Sequence, residues 1–311
     1  MSLDFVVYQE QAASTDQVPK QRASRAGAPS LMMPLLGLAG ETGSLLTEYK
    51  KWLIEGDAYT VIQERVAEEL GDILWYLSNL ATKSELSLDA IAAQNLRKIR
   101  ARWAAAEDRR GRRLFDEAYP KNEQFPRHFT AILRDVTSPN GQPKVSVEFN
   151  KKVCGNPLTD NAHSEDGYRF HDVFHLAYMT HLGWSPIWRR ILNSKRKSDP
   201  RVDEVEDGAR AAIVEEAVSA LVFSHAAQHS YYEGVNTVSY DLLRDLASIT
   251  SKFEVGTVSP RAWETAILSG YSAWRKVRRH GGGVLEGDLL KGTLKFRKLN
   301  GTALPSRRRR R

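Results

Sequence analysis

Glu68-Glu69-Leu70-Gly71-Asp72-Ile73-Leu74-Trp75-Tyr76-Leu77 sets apolar residues at helical spacing around Glu69 and Asp72, which stand three apart and share one helix face. Upstream, the stretch Glu41 to Lys51 reads as a second amphipathic helix, on which Glu41, Ser44 and Glu48 follow the three-then-four step and also share a face. Packing the two faces together gathers three or four carboxylates in a small volume, where like charges repel. A divalent cation is the simplest remedy, and an all-oxygen donor set suits a hard ion such as Mg²⁺. A lone Glu on a helix is ordinarily a solvated face. Glu69 and Asp72, however, lie between Val66, Leu70, Ile73 and Leu74, where the pattern predicts burial and an unpaired carboxylate is costly. Gly71 costs about 1 kcal/mol relative to Ala inside a helix, so its expected use is the close approach of another helix or a ligand.

Working outward, residues 12 to 30 read as a loop after a short first helix. Helices are predicted from about Val61 to Lys83 and from Leu86 to Trp103, the latter with Ser84 or Ser87 as cap. Ala106 to Arg127 breaks the periodicity with charge and reads as the start of a linker. Strand-like residues follow at His128 to Leu133 and Val145 to Phe149, divided by Ser138-Pro139-Asn140-Gly141, which predicts a β-hairpin. From about Gly167 to His280 the chain turns helical again. The fold class is therefore mainly α, with residues 1–105 as a first helical domain, 106–165 as a linker with the hairpin, 166–300 as a second helical domain and 301–311 as a basic disordered tail.

The chain has 311 residues, 41% hydrophobic and 27% charged, enough for two globular domains. Its net charge of +7 owes five units to Arg307 through Arg311, leaving +2 for the rest. A nucleic-acid partner acting through this tail and Arg109-Arg110-Gly111-Arg112-Arg113 is a reading that the charge allows without favouring. No run approaches the roughly 18 apolar residues of a membrane span, and no signal peptide is evident. With Cys154 as the single cysteine, no internal disulfide forms, and a cytoplasmic location is expected.

Taken in order, Gly37-Leu38-Ala39-Gly40-Glu41-Thr42-Gly43-Ser44, Lys50-Lys51, the Glu68 to Leu77 stretch, and Asn95-Leu96-Arg97-Lys98 with Arg102 give residues of about 5 to 103 a pattern that resembles the MazG-type all-α nucleoside triphosphate pyrophosphohydrolases. The resemblance implies a helical bundle that converts nucleoside triphosphates to monophosphate and pyrophosphate. It also implies Mg²⁺, or Mn²⁺, held by an ExxE pair on one helix and an ExxD pair on the next. Glu69 and Asp72 are that ExxD, whereas the ExxE falls on Glu41 and Ser44. Either Glu48, one turn along, replaces the missing ligand, or the site binds fewer ions. Glu68 or Glu48 would orient the attacking water. Lys50, Lys51, Lys98 and Arg102 would meet the triphosphate, and Asn95 a phosphate or the ribose. Trp52, Trp75 and Tyr76 would stack on a base or, more ordinarily, fill the core. A nucleotide-sensing protein that binds without hydrolysis is the alternative that Ser44 raises.

The second half carries an echo of the first. Arg65 to Tyr76 aligns with Ala212 to Phe223, keeping the Glu-Glu pair but placing Ser219 where the Asp stands, and Trp263 to Arg279 resembles the Asn95 to Arg102 helix. Because helices of the resembled family commonly pair between subunits, a homo-oligomer is implied, or a pseudo-dimer fused within one chain. Upstream of the echo, His171 and His175 stand one helical turn apart with Asp172 beside them. Together with Glu206, Asp207, Glu215 and Glu216, expected on the long helix nearby, they form a second candidate metal site suited to a transition ion or Zn²⁺. The ordinary reading is a pair of histidines hydrogen-bonded in an aromatic core. The His171-Asp172 dyad is similar, more weakly, to HD-type phosphohydrolases.

Overall fold

The computed structural model describes residues 3–17, 29–103, 114–138 and 141–299, without the side chains of 29–30 and 101–103. The basic tail, Arg109 to Arg113 and the side chain of Arg102 lie outside the described residues. Two compact units emerge, Met1–Arg100 and Ala101–Arg311.

The first unit consists of helices α1 (Phe5–Ser14), α2 (Pro29–Glu55), α3 (Ile62–Lys83) and α4 (Leu88–Trp103). Two local caps start helices where the sequence places them. Asp4 accepts from the Val7 amide at 2.9 Å at the head of α1, and Ser87 Oγ accepts from the Ala90 amide at 3.2 Å at the head of α4. Gln9 ties α1 to the turn between α3 and α4, donating to Thr82 Oγ1 and the Leu86 carbonyl while accepting from the Leu88 amide. The packing of α3 on α2 depends on Gly37, since a Cβ there would lie 2.1 Å from the Tyr76 ring. Where a loop is expected over residues 12–30, α1 continues to Ser14 and α2 begins at Pro29.

Burial in this unit falls short of the sequence expectation. Leu70 and Asp72 are exposed, Glu69 is half-buried, and Leu46, Leu53 and Ile54 of α2 stand 65–75% exposed. With so many apolar side chains at the surface of this unit, Glu69 and Asp72 stand at a rim and not in a core. Trp75 and Tyr76, expected in the core, are half-buried, and Trp75 Nε1 donates to Thr15 Oγ1 at 2.8 Å.

In the second unit the expected hairpin forms from β1 (His128–Thr137) and β2 (Pro143–Phe149), registered from Thr137 opposite Pro143 to Ala131 opposite Phe149. It is not part of a linker. With β3 (Lys152–Leu158), β4 (Gly282–Asp288) and β5 (Thr293–Arg297) it builds an antiparallel sheet of order β3-β2-β1-β4-β5, with the hairpin at the middle. Phe129, Ala131 and Leu133 alternate inward with Val145, Val147 and Phe149 across it, so the sheet contributes one wall of the unit's core.

Six helices complete this unit: α5 (Asp172–Leu182), α6 (Pro186–Ile191), α7 (Pro200–Val205), α8 (Ala209–Ala227), α9 (Tyr240–Thr250) and α10 (Pro260–His280). Every residue of α5 is buried, as expected of a helix apolar on all sides, and it packs chiefly on α10. Gly270 permits that approach, its Cβ position lying 3.1 Å from the Ala177 Cβ. The echo of the first unit does not extend to packing, because α8, the counterpart of α3, touches α5 at only a few points. Arg189 and Arg196 are buried among Asp116, Asp207 and Glu254, where paired carboxylates make burial of two guanidiniums tolerable. The protein is thus mainly α with a small antiparallel sheet. Among the described residues no helix is long and apolar enough to cross a membrane.

Candidate functional site

In the first unit α3 packs on α2, with Glu69 facing Glu41 and the exposed Asp72 one turn along α3, but these three carboxylates are not among the described groups whose ligand atoms all lie within 4.8 Å of one another. The Glu69 carboxyl is held above the ordinary carboxylate range, first by desolvation, then by the charge of Glu41 and a hydrogen bond between the two carboxyls, with Asp72 and Glu68 adding to the field. Tyr8 of α1 also senses Asp72, its phenol raised by burial and then by that charge. Carboxylates that face one another across two helices repel, and an all-oxygen donor set is the kind that suits Mg²⁺ or Mn²⁺.

Glu48 is placed differently from the expectation. It is buried, accepts from Lys51 Nζ at 2.5 Å and from the Tyr59 hydroxyl, and these bonds, Lys51 first, lower its pKa. Tyr59 lies beyond the end of α2, so nothing in the helical spacing announced it. Glu68 is exposed and paired with Arg65 at 2.9 Å. Of the residues expected to meet phosphate, Lys51 is engaged by Glu48, while Lys50, Asn95 and Lys98 are exposed on α2 and α4. A Cβ at Gly71 meets nothing within 4 Å in the chain itself, so the close approach expected there is not made by any described residue.

The second cluster is tighter. His171, Asp172 and His175 each offer a ligand atom, and among the described residues this is the set of three whose atoms all lie within 4.8 Å of one another. All three are buried, His175 completely. The His171 Nδ1 lies 2.9 Å from the Tyr168 carbonyl and the His175 Nδ1 lies 2.8 Å from Glu215 Oε1. Both partners can only accept, so each ring carries its hydrogen on Nδ1, which leaves Nε2 for another partner. The Nε2 of His175 has no hydrogen-bond partner, although half-exposed Glu216 comes within 3.6 Å.

The surrounding charge favours a positive species there. Burial opposes charge on His175, but Glu215 and then Glu216 outweigh it and push the imidazole up to about 10. His171 moves the other way, lowered by burial and by the neighbouring His175. Burial works to raise Glu216 too, yet its closeness to His175 leaves its carboxyl below the usual range. Tyr168 stacks on His171 with ring centroids 4.6 Å apart, and its phenol is pushed up to about 12, first by burial and then by Glu216. The sequence spacing did not single out Tyr168.

Glu206 and Asp207 are not at this cluster, and they precede α8 instead of lying on it. Glu206 accepts from the Glu254 amide at 3.0 Å, and Asp207 binds Arg196 and Arg189. Both carboxylates serve the buried arginine network, whose members come from segments far apart in the chain.

Among proteins of known description, the "Gene 37 protein" of Mycobacterium phage L5 is 33% identical over 69 residues, which is 22% of this chain. The chain spans 60% of the length of that relative. No solved structure matches. A family model does match residues 110–300, under the description MazG C-terminal domain. The match falls on the second unit and not on the first third, where the motifs carrying the resemblance stand. More than half of the chain being covered, it belongs to the MazG family through this C-terminal domain.

Proposed function

We propose that the first unit is a metal-dependent nucleoside triphosphate pyrophosphohydrolase, releasing monophosphate and pyrophosphate. What supports this reading is the packing of α3 on α2 with Glu69 facing Glu41, whose charge acts with desolvation to raise the Glu69 pKa, and with Asp72 one turn along the same helix. These three would hold Mg²⁺ or Mn²⁺. Such an ion polarises phosphate oxygens and lowers the pKa of a bound water. Glu68, exposed one residue from Glu69, would orient that water, with Glu48 as the second candidate once released from Lys51. Lys50, Lys51, Lys98 and Arg102 would neutralise charge on the departing pyrophosphate, and Asn95 would meet a phosphate or the ribose. The apolar residues exposed on α2 and α3 support a homo-oligomer, and the single cysteine supports a cytoplasmic setting.

The test is incubation of the full chain with a panel of ribo- and deoxyribonucleoside triphosphates and Mg²⁺ or Mn²⁺, with products resolved by ion exchange. Metal-dependent monophosphate and pyrophosphate are expected. One observation favours a second reading, a nucleotide sensor: Ser44 stands in the ExxE position, and Glu48 is already engaged by Lys51 and Tyr59. Saturable nucleotide binding without product release would select it.

A further inference from the structure

We propose that His171, Asp172 and His175 form a binding site for a first-row divalent transition ion or Zn²⁺ in the second unit, with Glu215 as the positioning residue. This goes beyond the pyrophosphohydrolase reading and rests on none of its residues. One turn of helix at the head of α5 presents two imidazoles and a carboxylate with every pair of donor atoms within 4.8 Å. Bonds of about 2.1 Å to nitrogen or oxygen span at most about 4.2 Å across an ion, so closure of a few tenths of an ångström suffices. Two nitrogens and one oxygen select a transition ion or Zn²⁺ over Mg²⁺.

Two independent features point to a ligand. The Nε2 of His175 is buried and makes no hydrogen bond, its nearest carboxylate, Glu216, standing off at 3.6 Å. Behind it, Nδ1 is locked to Glu215 Oε1 at 2.8 Å, the carboxylate–histidine arrangement that fixes the tautomer and aims Nε2 at a metal. Glu215 is itself fixed, accepting from Ser185 Oγ at 2.6 Å and the Ile187 amide at 2.9 Å. The Tyr168 carbonyl performs the same service for His171. Glu216, half-exposed and 3.6 Å from the orphan nitrogen, stands where a fourth ligand or the partner of a bound water would sit.

The experiment uses the full chain carrying Glu69→Gln and Asp72→Asn, so that the acidic site does not contribute, and His229→Asn, because the His225 and His229 rings stack 4.1 Å apart and would themselves chelate. Titration of this metal-free chain with Co²⁺ and Zn²⁺ is expected to give about one equivalent bound. His171→Asn or Asp172→Asn should weaken binding at least tenfold with the cooperative melting transition retained, and Glu215→Gln should weaken it roughly 10–100-fold. No binding to the starting chain, or affinity unchanged in both ligand variants, overturns the site. Should those variants lose their melting transition, pulsed EPR of the Cu²⁺-loaded starting chain decides. Modulation from two coordinated imidazoles supports the site, and its absence overturns it.

Discussion

The Nδ1 of His175 donates to Glu215 Oε1 at 2.8 Å, and neither side chain is exposed to solvent. The same carboxylate accepts from Ser185 and from the Ile187 amide, so one buried acid joins α5, the start of α6 and α8. Removing it by Glu215→Ala leaves three donors without an acceptor in a dry core. A loss of about 3–5 kcal/mol is expected, the range for breaking one side of a buried pair. Chemical denaturation of the second unit measures it, and Glu215→Gln, which keeps an accepting oxygen, should cost less.

Asp72→Ala is expected to abolish turnover of nucleoside triphosphates while leaving helical content intact, since Asp72 is exposed. Circular dichroism and product chromatography on the same sample check both halves. Retained activity would sink the assignment of the acidic site.

Ser44→Glu restores the ExxE spacing on α2. Tighter Mg²⁺ binding is expected, read by calorimetry on the full chain. Unchanged affinity would mean that Glu41, Glu69 and Asp72 already form the whole ligand set.

Gly37→Ala and Gly71→Ala should act in opposite directions. The first drives a methyl into the Tyr76 ring and should destabilise the first unit by about 1–3 kcal/mol, as overpacking does. The second adds a methyl to open space in a helix and should stabilise by about 1 kcal/mol. Thermal melts at low and high protein concentration test the pair. Destabilisation by Gly71→Ala that grows with concentration would show that a second copy covers this face.

Ser230 adopts φ 51°, followed by Tyr231 at 50° and Tyr232 at 56°, three left-handed residues in succession. Each costs roughly 1–2 kcal/mol for an L-residue. Ser230→Gly is therefore expected to raise stability by about 1 kcal/mol, measured by denaturant midpoint; a lower midpoint would show that the Ser230 side chain contributes more than the strain it carries.

The elements legible in the sequence were those with local causes. Ser87 caps α4 because a hydroxyl one residue before a helix finds an amide within reach, and β1 pairs with β2 through alternating Phe, Ala, Leu and Val. The three-residue and four-residue spacings that place Glu69 with Asp72 and His171 with His175 are likewise properties of a helix alone.

What tertiary structure decided lies across the chain. Strand β4 begins with two glycines, Gly282 and Gly283, just after the Gly281 that ends α10, and so lacks a strand signature; Gly287 leaves room for the Phe129 ring of β1 and Gly283 for the Phe296 ring of β5, the strands that flank it. Glu215 and Glu216 are neighbours with the same chemistry, yet one is sealed beneath His175 and the other half-exposed beside it. Glu48 reads as a ligand from its helical spacing and Glu206 from an expected long helix near His171, but Tyr59 and the Glu254 amide hold them elsewhere. Helical periodicity determines which carboxylates share a face; which of them meet a cation, a proton or a guanidinium depends on what a distant segment brings close, because a hydrogen bond forms only near 3 Å and charge interactions are screened over about 10 Å.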